Sequence, residues 1–150
     1  MATTGKNSKL HGGGFHHLAL RAWDFDATLR FYIEGLGFVR AYGWGKDERE
    51  TGGKDSRAAM LDTGDGNYLE VFAGSTRPYS EEAPEGTLIH FALRTDDCVA
   101  ALESARAAGA VVTMEPKVVK IHGDHDEDFH IAFCKGPDGE VIEFFENKNL

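Results

Sequence analysis

Residues 17–21 read HLALR and residues 90–94 read HFALR, 73 positions further along the chain. The same offset relates Glu70 to Glu143, and an Asp-Gly pair precedes each glutamate, at 65–66 and 138–139. The chain therefore contains an internal duplication in which each half has one histidine and one glutamate, 53 residues apart. Two imidazoles paired with two carboxylates indicate one shared metal site.

Alternation of side chains predicts the first strand, with His17, Ala19 and Arg21 on one face. Glu70 likewise shares a strand face with Tyr68 and Phe72, after a predicted hairpin turn. A change to helical spacing predicts one helix in each half, over 24–35 and 99–108. Further strands are predicted over 38–44, 58–61, 88–94, 111–114, 131–135 and 141–145.

These elements predict an α+β fold of two tandem βαβββ modules that form a cupped half-barrel sheet. The modules are expected over 15–74 and 87–150, joined by a linker over 75–86 that bears Pro and Glu. Residues 1–14 are polar and rich in glycine, which predicts a mobile N-terminal segment.

The chain has 150 residues, a formal net charge of −9 and a pI near 5.2. This charge disfavours nucleic acid and anionic membranes as partners and favours a small molecule. Cys98 and Cys134 are too few for a disulfide framework, and no apolar run has the length of a membrane span. We therefore expect a cytoplasmic protein.

Two histidines and two glutamates suit a divalent ion, with Ni²⁺ or Zn²⁺ expected and Co²⁺ or Mn²⁺ also possible. Four protein ligands, His17, Glu70, His90 and Glu143, would leave two positions of an octahedral ion open. A Lewis-acid catalyst needs such open positions for adjacent substrate oxygens. A metal partner would also explain glutamates that lie among apolar neighbours, where an unpaired carboxylate is costly to bury.

The run over 17–24, the run over 31–38 and the closing run over 136–144 together resemble the vicinal oxygen chelate superfamily. That superfamily includes glyoxalase I, extradiol dioxygenases, methylmalonyl-CoA epimerase and drug-resistance proteins. The order His, Glu, His, Glu is similar to glyoxalase I (lactoylglutathione lyase). The resemblance implies a carbon-sulfur lyase that isomerises the hemithioacetal of a thiol and a 2-oxoaldehyde such as methylglyoxal, through a metal-stabilised enediolate.

The resemblance also implies individual roles. Glu143 is expected to be the catalytic base, with Glu70 as its partner, and Arg21 is expected to bind the substrate. It further implies a homodimer, and whether one metal site forms within a chain or across two chains stays open. The alternatives are another metalloenzyme of the superfamily, such as a dioxygenase or epimerase, and a non-catalytic binding or resistance protein.

Two features leave the thiol undetermined. Gly74 stands where bacterial glyoxalase I tends to have Asn, and the predicted loop over 120–130 is acidic, a poor host for the anionic glutathione. The histidines of that loop, His122, His125 and His130, permit a second metal site, although a solvated loop is the stronger interpretation. Trp44 lines a pocket or covers one, and the sequence does not decide which.

Overall fold

The first module begins with a strand and a capped helix. A computed structural model describes residues 15, 17–75, 90–122 and 126–149. Strand β1, His17–Arg21, leads to helix α1, Phe25–Arg30, whose start is capped by Asp24 as it accepts a hydrogen bond from the Ala27 amide at 2.9 Å. The helix predicted over 24–35 is confirmed, and its second half, Phe31–Gly35, winds into a wider π-helix.

Three strands complete this module. They are β2, Val39–Trp44, β3, Ala58–Asp62, and β4, Tyr68–Phe72, and a short 3₁₀ turn, Arg49–Thr51, lies between the first two. The loop around that turn is held by ion pairs, since Arg57 binds Asp26 at 2.9 Å and Asp55 at 2.8 Å. The turn before β4 is local, with Asp65 accepting from Thr63 and Asn67.

The second module repeats the order but has longer strands. Its elements are β5, Phe91–Arg94, α2, Cys98–Ala107, β6, Val111–His122, β7, Asp126–Lys135, and β8, Val141–Glu146. The predicted loop over 120–130 is therefore wrong for its described residues, which extend β6 and β7 into a paired arm. Cross-strand neighbours of opposite charge, such as Lys120 and Asp128, stabilise strands whose polar composition is typical of a loop.

Each module forms one four-stranded mixed sheet. The strand orders are β1-β4-β3-β2 and β5-β8-β7-β6, in which β1 pairs with β4, and β5 with β8, in parallel. The predicted α+β class is confirmed, and both modules have the predicted βαβββ order. The helices cover one face of each sheet, where Leu69, Leu102 and Ile142 are buried in a core that both modules share.

The modules meet through close packing and hydrogen bonds. Gly35 lies so near Ala108 that an added Cβ would stand 2.4 Å from the alanine Cβ. In the second hairpin, the Asp138 carboxylate accepts from the Trp23 amide at 2.8 Å and from the Thr28 hydroxyl at 2.6 Å. The Asp138-Gly139 pair therefore also joins the modules.

Some predictions fall on residues whose structure is not described. These are the mobile segment over 1–14, nearly all of the linker over 75–86, and the first residues of the strand predicted over 88–94. Among the described helices, none is long and apolar enough to cross a membrane.

Candidate functional site

The first candidate ligand pair lies where β1 runs beside β4. The parallel register places Ala19 opposite Glu70, so His17 stands two residues along the same face. The His17 Nε2 lies 3.4 Å from the Glu70 Oε2, with the histidine side chain 40% exposed and the glutamate side chain 12% exposed. The imidazole thus faces the open side of the sheet, and the carboxylate beside it is largely shielded from water.

The second pair repeats this geometry in the other module. His90 immediately precedes β5, and its Nε2 lies 3.0 Å from the Glu143 Oε2 on β8. The Phe133 ring stands edge-on to the His90 ring, with centroids 5.4 Å apart. The β7–β8 register places Phe133 opposite Glu143, on the ligand face of the sheet.

Both pairs fit a divalent ion as neighbouring ligands. Nitrogen and oxygen donors at about 2.0 to 2.2 Å from one ion lie roughly 3 Å apart when they are adjacent. The two measured separations are 3.4 and 3.0 Å. Within the described part of the chain, however, no group of three or more histidine, cysteine, aspartate or glutamate side chains is placed to hold an ion. One chain therefore presents two ligand pairs and does not unite them.

Arg21, the predicted substrate-binding residue, lies on the same face as His17. Its Nη1 donates to the Ala73 carbonyl at 3.0 Å, and its guanidinium stands 5.6 Å from the centroid of the Phe72 ring. Phe72 in turn contacts Trp44 edge-on at 5.9 Å. The prediction for Arg21 did not include these two rings, although strand alternation from Glu70 already placed Phe72 on this face.

The histidines of the β6–β7 arm have separate carboxylate partners. His122 Nδ1 lies 2.9 Å from Asp126, and His130 Nδ1 lies 2.8 Å from Glu146, while His125 is outside the described residues. A cavity of about 540 Å³ borders this arm, but neither ligand pair lines it. The described geometry does not gather the arm histidines into a second metal site.

A partly buried acid that the sequence did not reveal lies at the junction of the modules. Glu140 accepts a hydrogen bond from the Tyr32 hydroxyl and another, at 2.9 Å, from the Asp138 amide. Burial raises the pKa of Glu140 to about 7, although the bond from Tyr32 acts in the opposite direction. The residue also lines a cavity of about 100 Å³ together with His90.

Comparison with known proteins gives consistent results. The family model described as "Glyoxalase/Bleomycin resistance protein/Dioxygenase superfamily" matches residues 14–144. A "Probable lactoylglutathione lyase" from Vibrio cholerae is 32% identical over 138 residues, which cover 88% of this chain and 89% of that protein. A "Lactoylglutathione lyase" from Haemophilus influenzae is 31% identical, with 89% and 92% covered.

Solved structures share the fold. A glyoxalase I variant from Zea mays superposes with a TM-score of 0.66 at 24% identity, over 90% of this chain and 45% of the maize chain. TioX from Micromonospora sp. ML1 gives a TM-score of 0.58 at 19% identity, over 91% of this chain and all of that one. At these identities the likeness concerns the fold.

Proposed function

Since the chain belongs to the glyoxalase/bleomycin resistance protein/dioxygenase superfamily, we propose that it is a metal-dependent lyase of the glyoxalase I type. The proposed reaction isomerises the hemithioacetal of a thiol and a 2-oxoaldehyde, with methylglyoxal as the reference aldehyde. The observation that carries the proposal is the duplicated pair of imidazole and carboxylate, with nitrogen to oxygen distances of 3.4 and 3.0 Å. A cytoplasmic location stays a prediction.

Four side chains would hold the ion. They are His17, Glu70, His90 and Glu143. A divalent ion bound there would supply Lewis-acid polarisation of the two adjacent oxygens of the hemithioacetal. Ni²⁺ and Zn²⁺ both accept two nitrogen and two oxygen donors, with Co²⁺ and Mn²⁺ as further candidates.

The remaining chemistry is a proton transfer that carboxylates perform. We assign the base to Glu143, which takes the proton from C1 of the hemithioacetal and returns it to C2, while the hydroxyl proton passes between the two oxygens. The product is the thioester of a 2-hydroxy acid, so no atom is gained or lost. The Glu143 side chain is only 11% exposed, which limits exchange of the transferred proton with water. Glu70 is its partner on the other side.

We also propose that a homodimer completes the site. Each chain offers His17 with Glu70, and His90 with Glu143, as two separate pairs on two sheets. A four-ligand site then requires the first pair of one subunit and the second pair of the other. Such an arrangement forms two equivalent sites per dimer.

The thiol half of the substrate is best decided by experiment. Gly74 adopts a positive φ of 83°, and a Cβ added there would lie 3.1 Å from the Asp55 carbonyl oxygen. The backbone at this position therefore suits glycine, and any contact to the thiol must come from other residues.

The test is turnover of the methylglyoxal hemithioacetal by metal-free protein reloaded separately with Ni²⁺, Zn²⁺, Co²⁺ and Mn²⁺, using glutathione and other thiols. Metal-restored activity with any thiol supports the proposal. Glu143→Gln should lower kcat by at least about 100-fold, the usual contribution of a general base. Glu103→Gln, on the exposed surface of α2, is the matched control and should leave kcat unchanged. Turnover without metal, or full activity of Glu143→Gln, contradicts the proposal.

Complementation tests the shared site. His17→Ala and His90→Ala each damage both sites of a homodimer, but a mixed dimer keeps one intact site. Mixing the two inactive proteins should restore about one quarter of the wild-type activity if subunits exchange at random. A site formed within one chain gives no recovery on mixing.

A further inference from the structure

A row of side chains crosses the ligand face of the first sheet. The strand register aligns Trp44 on β2 with Ala58 on β3, Ala58 with Phe72 on β4, and Phe72 with Arg21 on β1. Ala58 is small and buried, so the rings of Trp44 and Phe72 meet above it at 5.9 Å between centroids. The Arg21 guanidinium closes the row over the other side of Phe72. We call these four residues the aromatic row.

The aromatic row lies next to a proposed ligand. Glu70 is two residues before Phe72 on β4 and points to the same face. Its own row holds Met60, and Tyr42 beyond it, whose ring is 5.8 Å from Trp44. Any group attached to a substrate carbon near Glu70 therefore meets a surface of aromatic rings about 7 Å further along the strand.

In the second module the 73-residue offset relates Trp44 to Lys117. The duplication relates Arg94 to Arg21 and Phe145 to Phe72, and the strands again align these two residues. At the end of that row, aligned through Ile131, stands Lys117 instead of a ring. The Phe145 ring instead contacts the Phe129 ring edge-on, with centroids 5.0 Å apart, so both ligand pairs have aromatic neighbours but, among the described residues, an indole stands only beside the first.

The rings have open surface for a ligand. Trp44 is 38% exposed and Tyr42 is 65% exposed, although both are large aromatic side chains beside a packed sheet. Arg21 fixes the edge of the row through its bond to the Ala73 carbonyl at 3.0 Å. A rigid aromatic surface binds flat apolar groups at a low cost in conformational entropy.

From this geometry we infer that the aromatic row selects substrates whose vicinal-oxygen unit carries an aryl group. The inference rests on the proposed function and makes Trp44 and Phe72 its specificity-determining residues. The aryl group comes either from the 2-oxoaldehyde, as in phenylglyoxal, or from the thiol. Methylglyoxal with a small aliphatic thiol would then be turned over less efficiently.

The test compares kcat/KM for three hemithioacetals, formed from phenylglyoxal with 2-mercaptoethanol, methylglyoxal with benzyl mercaptan, and methylglyoxal with 2-mercaptoethanol. One of the two aryl substrates should exceed the third by roughly tenfold, as one aromatic contact permits. Trp44→Ala should remove this preference and Trp44→Phe should keep most of it. Because the ratio is measured on one preparation, a partly misfolded variant does not distort it.

Val118→Ala is the matched control, since Val118 is an exposed apolar residue on the edge strand β6, opposite His130 and away from the ligand pairs. It should leave the ratio unchanged. A wild-type ratio near one for both aryl substrates overturns the inference. So does a Trp44→Ala variant that keeps the wild-type preference.

A binding experiment separates this inference from the proposed function. Mandelate and lactate are 2-hydroxy acids that differ by aryl against methyl, and their binding to the metal-loaded protein can be measured by calorimetry without turnover. If isomerase activity is absent but mandelate binds roughly tenfold more tightly, and Trp44→Ala removes the difference, the aromatic row is supported and the proposed reaction alone fails. Equal affinities overturn the inference whether or not the protein is an isomerase.

Discussion

Glu140 should make the stability of the protein fall as pH rises from about 4 to neutrality. Its carboxyl group is enclosed at the module junction by Tyr32 and by the Asp138 amide, and burial raises its pKa to about 7. In the unfolded chain a glutamate has a pKa of about 4.3, and each unit of difference is worth 1.36 kcal/mol. The full effect is therefore about 4 kcal/mol, which is a large share of the stability of a small domain.

The direction follows from which form the folded state prefers. The folded protein favours the neutral form of Glu140. Below pH 4 the carboxyl group is protonated in both the folded and the unfolded protein, so its position in the fold causes no loss of stability. As pH rises, Glu140 ionises first in the unfolded chain, which lowers the free energy of the unfolded state. In the folded chain the same group ionises only at about pH 7. Stability from this group is thus lost between roughly pH 4 and pH 7 and stays low above that range.

The variant Glu140→Gln removes the titration and keeps a polar side chain of the same size. Its amide oxygen can accept from the Asp138 amide, and its nitrogen can donate to the Tyr32 hydroxyl oxygen. Urea unfolding at pH 5 and pH 8 should show that the wild type loses about 2 to 3 kcal/mol more than the variant over this interval. Parallel pH profiles for the two proteins would refute the buried-acid argument, since the other titrating groups are common to both.

Two further predictions concern packing and reactivity. Arg57→Ala should cost about 2 to 3 kcal/mol in urea unfolding, because it leaves the Asp55 carboxylate, 7% exposed, with the more distant Arg49 Nε, at 3.6 Å, as its cation, whereas Arg106→Ala removes only exposed ion pairs and should cost much less. Equal losses would contradict this. Cys98 and Cys134 are buried, and desolvation raises the pKa of each thiol to about 11. Ellman's reagent at pH 7.5 should therefore label neither until the protein is unfolded in urea, and rapid labelling of the native protein would contradict their burial.

The features that the sequence predicted well are those determined by short-range periodicity and by the duplication. Alternation placed His17 and Arg21 on one face of β1, and the 73-residue offset transferred that geometry to the second module. Each histidine then lies near the glutamate 53 residues later because the parallel pairing of the first and last strands brings them together. The two halves of the candidate site were thus predictable from local patterns repeated twice.

The β6–β7 arm was not predictable in the same way. Its polar residues, among them Lys120 and Asp128, are typical of a loop when each strand is considered alone. They form strands because opposite charges face each other across the pair. Strand formation there depends on a partner that a local pattern does not contain.

Glu140 was missed for a related reason. Next to Asp138 and Gly139 it has the composition of a solvated turn, and its burial depends on Tyr32 from the other module, 108 residues away. Only tertiary packing turns this charged residue into a partly buried acid, and only the structure shows that the same hairpin joins the modules.

The duplication also indicates how a symmetric metal site can serve an asymmetric substrate. The two ligand pairs need the same chemistry, so His17 with Glu70 and His90 with Glu143 occupy matching positions. A hemithioacetal, however, has two different ends, and a site with two identical walls would not favour one orientation over the other. The replacement of Trp44 by Lys117 in the second module breaks this equivalence where it does not disturb the ligands. A duplicated fold can thus use the same ligands in both halves for its proposed metal chemistry, while different side chains beside those ligands determine the orientation and the selectivity for substrate.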